Sequence, residues 1–209
     1  MRALAAAVLV VAMCGHAHAQ SAPFSVRGFA DAGIRTFTAR DSFDAILGRH
    51  DGATFGGGVD IVERHGFFGQ VRASRFTRTG QRVFVFAGNV FALGVDDTIS
   101  VTPIEISGGY RFGHGRLVVP YGAAGAGWHR FEESSPSSAA GEDARETFTG
   151  YHALGGVEFH VWRWLSAAGE AQWTTVPGAL GRDPHSVSRA FGESDLGGFS
   201  ARVKVIVGR

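Results

Sequence analysis

Apolar and polar residues alternate with period two along this chain, in eight segments separated by turn-forming sequence. In residues 24–38, Phe24, Val26, Gly28, Ala30, Ala32 and Ile34 share one face, and Arg27, Asp31 and Arg35 share the other. Residues 54–62 set Phe55, Val59 and Ile61 against Asp60, and residues 67–77 set Phe67, Gly69, Val71 and Ala73 against Gln70, Arg72 and Ser74. Residues 98–112 place Ile104, Ile106, Gly108, Tyr110 and Phe112 opposite Glu105, Ser107 and Arg111. Pro103 within that segment calls for a bulge or a missing ladder bond, because it has no N–H to donate. Residues 116–131 carry Gly and Ala on both faces, so their facing stays open. Residues 147–161 oppose Tyr151, Ala153, Val157 and Phe159 to His152, Glu158 and His160, and residues 164–176 oppose Leu165, Ala167, Ala171 and Trp173 to Glu170 and Gln172. Residues 196–207 oppose Phe199, Ala201, Val203, Val205 and Val207 to Arg202 and Lys204.

The connections alternate as well. Short turns fall near 63–66, 113–115 and 162–163, and long ones at 39–53, 78–97, 132–146 and 177–195. The second long connection reads as a hairpin, 83–86 against 90–93, and helical turns are expected at 42–47 and 186–191. No segment has the length and apolarity of a membrane helix, which needs about 20 residues. Long strands joined in turn by short and long connections predict an all-β fold, an eight-stranded antiparallel up-and-down barrel.

A soluble barrel buries its apolar face, whereas a membrane barrel turns it outward. Strand length favours the membrane, since about 9 to 11 tilted residues span a bilayer. Aromatic residues also gather near strand ends, as interfacial girdles do. Phe67, Tyr110, Phe112, Trp162 and Trp164 lie at the short-turn end, and Phe37, Phe76, Trp128, Phe131, Phe148 and Trp173 towards the loops. The apolar face is rich in small residues, which fill a soluble core poorly.

Composition adds three constraints. The 31 glycines and 17 phenylalanines among 209 residues oppose helix and fit curved strands with close backbone approaches. Residues 1–19 read as a secretory signal peptide, with Arg2, an apolar run to Met13 and Ala17-His18-Ala19 as the cleavage site, leaving 20–209 as an outer-membrane domain. Lipidation at Cys14, the single cysteine, is the minor alternative. Loss of that leader leaves basic and acidic residues equal in number, which excludes a nucleic-acid binder driven by basic excess.

The leader, the eight alternating segments and the Gly/aromatic style of Tyr121-Gly122-Ala123-Ala124-Gly125-Ala126-Gly127 and Phe148-Thr149-Gly150-Tyr151-His152-Ala153-Leu154-Gly155-Gly156-Val157-Glu158-Phe159 resemble the small bacterial outer-membrane β-barrel superfamily of porin-like domains. The ending Val205-Ile206-Val207-Gly208-Arg209 departs from the aromatic terminus common in such barrels. The resemblance implies the outer membrane as location, its lipids as surroundings, and a monomer.

With charged faces inward, the lumen receives Arg27, Asp31, Arg35, Asp60, Arg72, Glu105, Arg111, Glu158, Glu170, Arg202 and Lys204, five acids and six bases. Eight strands leave an interior only wide enough for side chains, so a salt-bridged plug is expected. The function expected is a non-enzymatic barrel with an envelope-structural role or with surface interactions through its loops, and no cofactor. A narrow porin-like channel for small solutes is the alternative, and a lipid-modifying enzyme a distant third. His152, Glu158 and His160 form no specific metal-ligand motif. His185, Ser186 and Ser188 lack the His-x-Ser spacing of a deacylase, and Gly56-Gly57-Gly58 reads as strand rather than a phosphate loop.

Overall fold

The computed structural model describes residues 24–86, 89–113, 116–134, 144–183 and 186–208, so the expected signal peptide lies outside the described residues. Eight strands form, β1 Phe24–Phe37, β2 Asp51–Glu63, β3 Phe67–Phe86, β4 Asn89–Arg111, β5 Val118–Ser134, β6 Ala144–Trp162, β7 Leu165–Thr175 and β8 Gly198–Gly208. They close into a barrel in chain order. Each pairs antiparallel with the next, and β1 seals the barrel against β8, from Arg27 opposite Gly208 to Phe37 opposite Gly198.

The expected hairpin is the outward extension of β3 and β4. Val83 pairs with Ala92 and Phe84 with Phe91, beyond a register shift between Gln81 and Val83. Its Phe84 and Phe91 rings stack at 5.1 Å. Pro103 breaks the ladder without a bulge: β3–β4 pairing runs through Ala73 and Ile104, resumes at Phe76 and Val101, and keeps its register across the gap. On its other side Pro103 stays paired with His129. Among the described residues, two short helices lie at the long-loop end, α1 Arg40–Leu47 and α2 Val187–Ala190. α1 ends on Gly48 at φ 72°, a left-handed turn that favours glycine.

Sidedness is the reverse of a soluble fold. Val26, Ile34, Phe55, Val71, Ile106 and Val203 are exposed on the outside, while charged residues of the opposite parity are buried within. Two apolar clusters interrupt the polar interior. The lower one joins Phe29, Phe68, Tyr121, Leu154, Ala168 and Ile206. The upper one, at the loop end, includes Phe37, Phe43, Phe76, Val101, Phe148 and Leu196.

The girdle expectation needs correction here. Phe67, Phe112, Trp162 and Trp164 are exposed at the short-turn end, and Trp128 and Trp173 at the other. Phe37, Phe76 and Phe148 instead point inward, because each shares the parity of the buried polar residues on its own strand. Phe131 is partly buried against the same cluster. Phe43 stacks on Phe37 at 4.1 Å, and Phe76 meets Phe37 edge-on at 5.0 Å, so these rings form a lid over the lumen.

Candidate functional site

All eleven residues expected in the lumen are buried, each at 8% exposure or less. Period-two geometry on closed strands sends them there, and the register decides which of them meet. Near the short-turn end, Arg27 reaches Glu158 at 2.8 Å and Asp60 at 3.1 Å. Arg111 pairs with the same Glu158 and lies 3.9 Å from Asp60, so two bases and two acids close a ring. Above it, Glu170 gathers Lys204 at 3.2 Å, the Tyr121 hydroxyl at 2.8 Å and Arg202. Higher still, Arg72 donates to Asp31 at 2.6 Å and to Glu105 at 3.2 Å. Gln172 joins the last two groups, donating to Glu105 at 2.7 Å and accepting from Arg202 at 2.5 Å.

Arg35, the sixth base, takes no carboxylate partner among the described residues. Its guanidinium donates to the Leu196 carbonyl at 3.1 Å and lies 4.8 Å above the Phe37 ring, tying the network to the apolar lid. Rings are interleaved with charges lower down as well. Lys204 Nζ is 4.0 Å from the Phe29 ring centre, and Arg111 lies between Phe68 and Tyr121 at 5.5 and 5.3 Å. Such cation–π contacts strengthen when they are desolvated.

Sequence reasoning placed Gln70, Gln172, Ser107 and His152 on polar faces without assigning them to the site, and it passed over Tyr121 and His129. The two latter belong to the Gly/Ala-rich β5, where parity is hard to read. Pairing with β6 explains the glycines there. A Cβ on Gly156 would stand 2.6 Å from the Tyr121 ring, and one on Gly150 would stand 2.6 Å from the His129 imidazole. Both glycines are hollows for large inward side chains on the neighbouring strand.

His152 and Glu158 do not converge. Five residues of strand lie between them, about 20 Å at the usual rise, and of the two histidines only His160 approaches Glu158, its Nε2 at 3.3 Å. His152 Nε2 shares a hydrogen bond of 2.7 Å with the Ser107 hydroxyl, and its Nδ1 is 3.8 Å from Glu105, too far to bond. This serine–histidine pair is enclosed in the lumen, remote from lipid. Ser186 caps α2 by accepting from the Arg189 N–H, and His185 lies outside the described residues. Gly56, Gly57 and Gly58 are within β2.

The outer mouth has its own architecture. Glu193, from the β7–β8 connection, accepts from the N–H groups of Asp41 at 3.1 Å and Ser42 at 2.9 Å, capping α1 from another loop. Asp195 braces that connection, accepting from the N–H groups of Val176 at 2.6 Å and Gly197 at 2.7 Å. Beyond the Trp128 level, outside the bilayer, Glu133 on β5 lies opposite Ile99 on β4 and so diagonally across from Asp97, a second carboxyl. Burial first, then Asp97, pushes the Glu133 carboxyl up to about 7, against the pull of Arg82.

A family model described as the outer membrane protein beta-barrel domain matches residues 4–184. No curated protein matches the chain. Among solved structures, the chain is similar to neisserial surface protein A, with 14% identity over 89% of this chain and 97% of that one and a TM-score of 0.54. It is similar to a major outer membrane protein from Thermus thermophilus, with 9% identity over 90% and 100% of the two chains and a TM-score of 0.54. The outer membrane protein OprG from Pseudomonas aeruginosa follows at 14% identity, 88% and 92% coverage and a TM-score of 0.49. At these identities the likeness is one of fold.

Proposed function

Because this chain belongs to the outer membrane protein beta-barrel domain family and resides in the bacterial outer membrane, we propose that it is a closed, non-enzymatic barrel whose lumen is structural and whose outward loops carry its interactions. The filled lumen is the observation that carries this reading. Ion pairs span the interior from the Arg27–Glu158 level to the Arg72–Glu105 level, and the Phe37–Phe43–Phe76 lid lies above them. Opening a path would require breaking buried pairs, and removal of one partner from such a pair costs about 3–5 kcal/mol.

Purified protein in planar bilayers tests the reading: a silent membrane is the expected result, and stepwise openings would establish the narrow-channel alternative. Enzymatic action is tested separately with a fluorophosphonate serine probe. The sealed Ser107–His152 pair should leave the folded barrel unlabelled, and labelling at Ser107 would overturn the non-enzymatic assignment.

A further inference from the structure

A cavity of about 400 Å³ opens at the outer mouth, among the ends of β3 to β6, α1 and the β7–β8 connection. Its size falls within the range of small-molecule sites. Phe43, Ile99, Phe131, Phe148, Leu180 and Val187 make much of its wall hydrocarbon. Charged groups face it from every one of these elements except α1: Arg82 on β3, Asp97 on β4, Glu133 on β5, Glu146 on β6, and Arg182 and Asp183 on the connection. Glu146 and Arg182 pair at 3.5 Å, and the Arg182 guanidinium lies 4.6 Å above the Phe148 ring.

Asp97 is different. It is 2% exposed, and no N–H or hydroxyl among the described residues bonds its buried Oδ1. A second carboxyl, Glu133 on β5, faces it, and burial together with this closeness to Asp97 raises Glu133 to about 7. Arg82 is exposed on the rim. A buried carboxylate short of donors is costly, and an arriving cation that carries N–H groups relieves it.

We propose that the mouth binds a small organic amine, its ammonium on Asp97 and Glu133 and its apolar body against Phe43, Phe131 and Phe148. A hard metal ion fits less well, because it needs six or more oxygen ligands, and no group of three or more His, Cys, Asp or Glu side chains among the described residues is placed to hold one. An anion of the same shape meets the carboxylate pair and is repelled. The aromatic walls add cation–π attraction for an ammonium head. Glu133 gains its charge as pH rises through about 7, so amine binding should tighten over that interval.

Phenethylamine titrated by NMR into the full barrel in lipid nanodiscs is the test, with 3-phenylpropionate as the anion of similar shape. Saturable shifts are expected for the amine and not for the anion, with contacts from its ring to Phe43, Phe131 or Phe148. Affinity should fall at least about tenfold in Asp97→Asn. It should rise between about pH 6 and about pH 8 in the parent protein, and stay flat in Glu133→Gln. Unsaturable shifts with the parent barrel, equal binding of the anion, unchanged affinity in Asp97→Asn or a flat parent pH profile would each overturn the proposal. The first two measurements need no variant, so a variant that fails to fold leaves the proposal exposed to refutation. The inference extends the loop-interaction reading without resting on a closed lumen; conductance and amine binding are separate readouts, and either can fail alone.

Discussion

Glu158 shows how much depends on single side chains in this lumen. It is fully buried and answers both Arg27 and Arg111. Glu158→Gln leaves two guanidinium groups sharing Asp60, and the folded barrel should lose about 3–5 kcal/mol, read as a lower urea midpoint in lipid vesicles. The residue itself was legible from the alternation of β6, whereas its two partners come from strands remote in sequence. Glu133 carries the pH dependence of the mouth. An acid whose folded pKa is raised contributes stability that is fully present below its unfolded value, near 4.3, and is lost as pH rises through about 7. Intrinsic-rate-corrected amide exchange in the outer ends of β4 and β5 should therefore be faster at about pH 8 than at about pH 5, and Glu133→Gln should remove the difference.

At the scale of elements, the long connections are parts of the barrel. α1 turns Phe43 down onto Phe37, and Glu193 holds its N-terminus from across the mouth. Phe43→Ala should cost about 3–5 kcal/mol by opening a hole in the lid, measured by denaturant unfolding, with the strands otherwise retained. Helical turns at both places were legible from local composition. The lid was not, because Phe37, Phe76 and Phe148 stand near strand ends and satisfy a girdle equally well until parity is followed to the last residue. β3 and β4 were read too short for a related reason: the apolar hairpin loses strict alternation, although its strands continue unbroken past the barrel.

For the whole molecule, the exposed belt of Val, Ile and Phe between aromatic rims is stable only against hydrocarbon. Val203→Arg, on the outer face at the middle of β8, should destabilise the barrel by about 2–4 kcal/mol in bilayers. Equilibrium unfolding in vesicles measures this, and a neutral result would contradict a lipid-facing belt. Strand count, antiparallel order and the two-faced character of every strand but β5 were determined by sequence alone, because a period of two sends alternate side chains to opposite faces whatever the tertiary context. Which carboxylate meets which base was decided only by closure, since register across eight strands brings Arg27 to Glu158 and Arg72 to Asp31 from distant parts of the chain. The same holds for the hollows at Gly150 and Gly156 and for the Asp97–Glu133 pair at the mouth. Alternation is a local property of each strand, but contact between strands depends on shear and sidedness, which exist only once the barrel is closed.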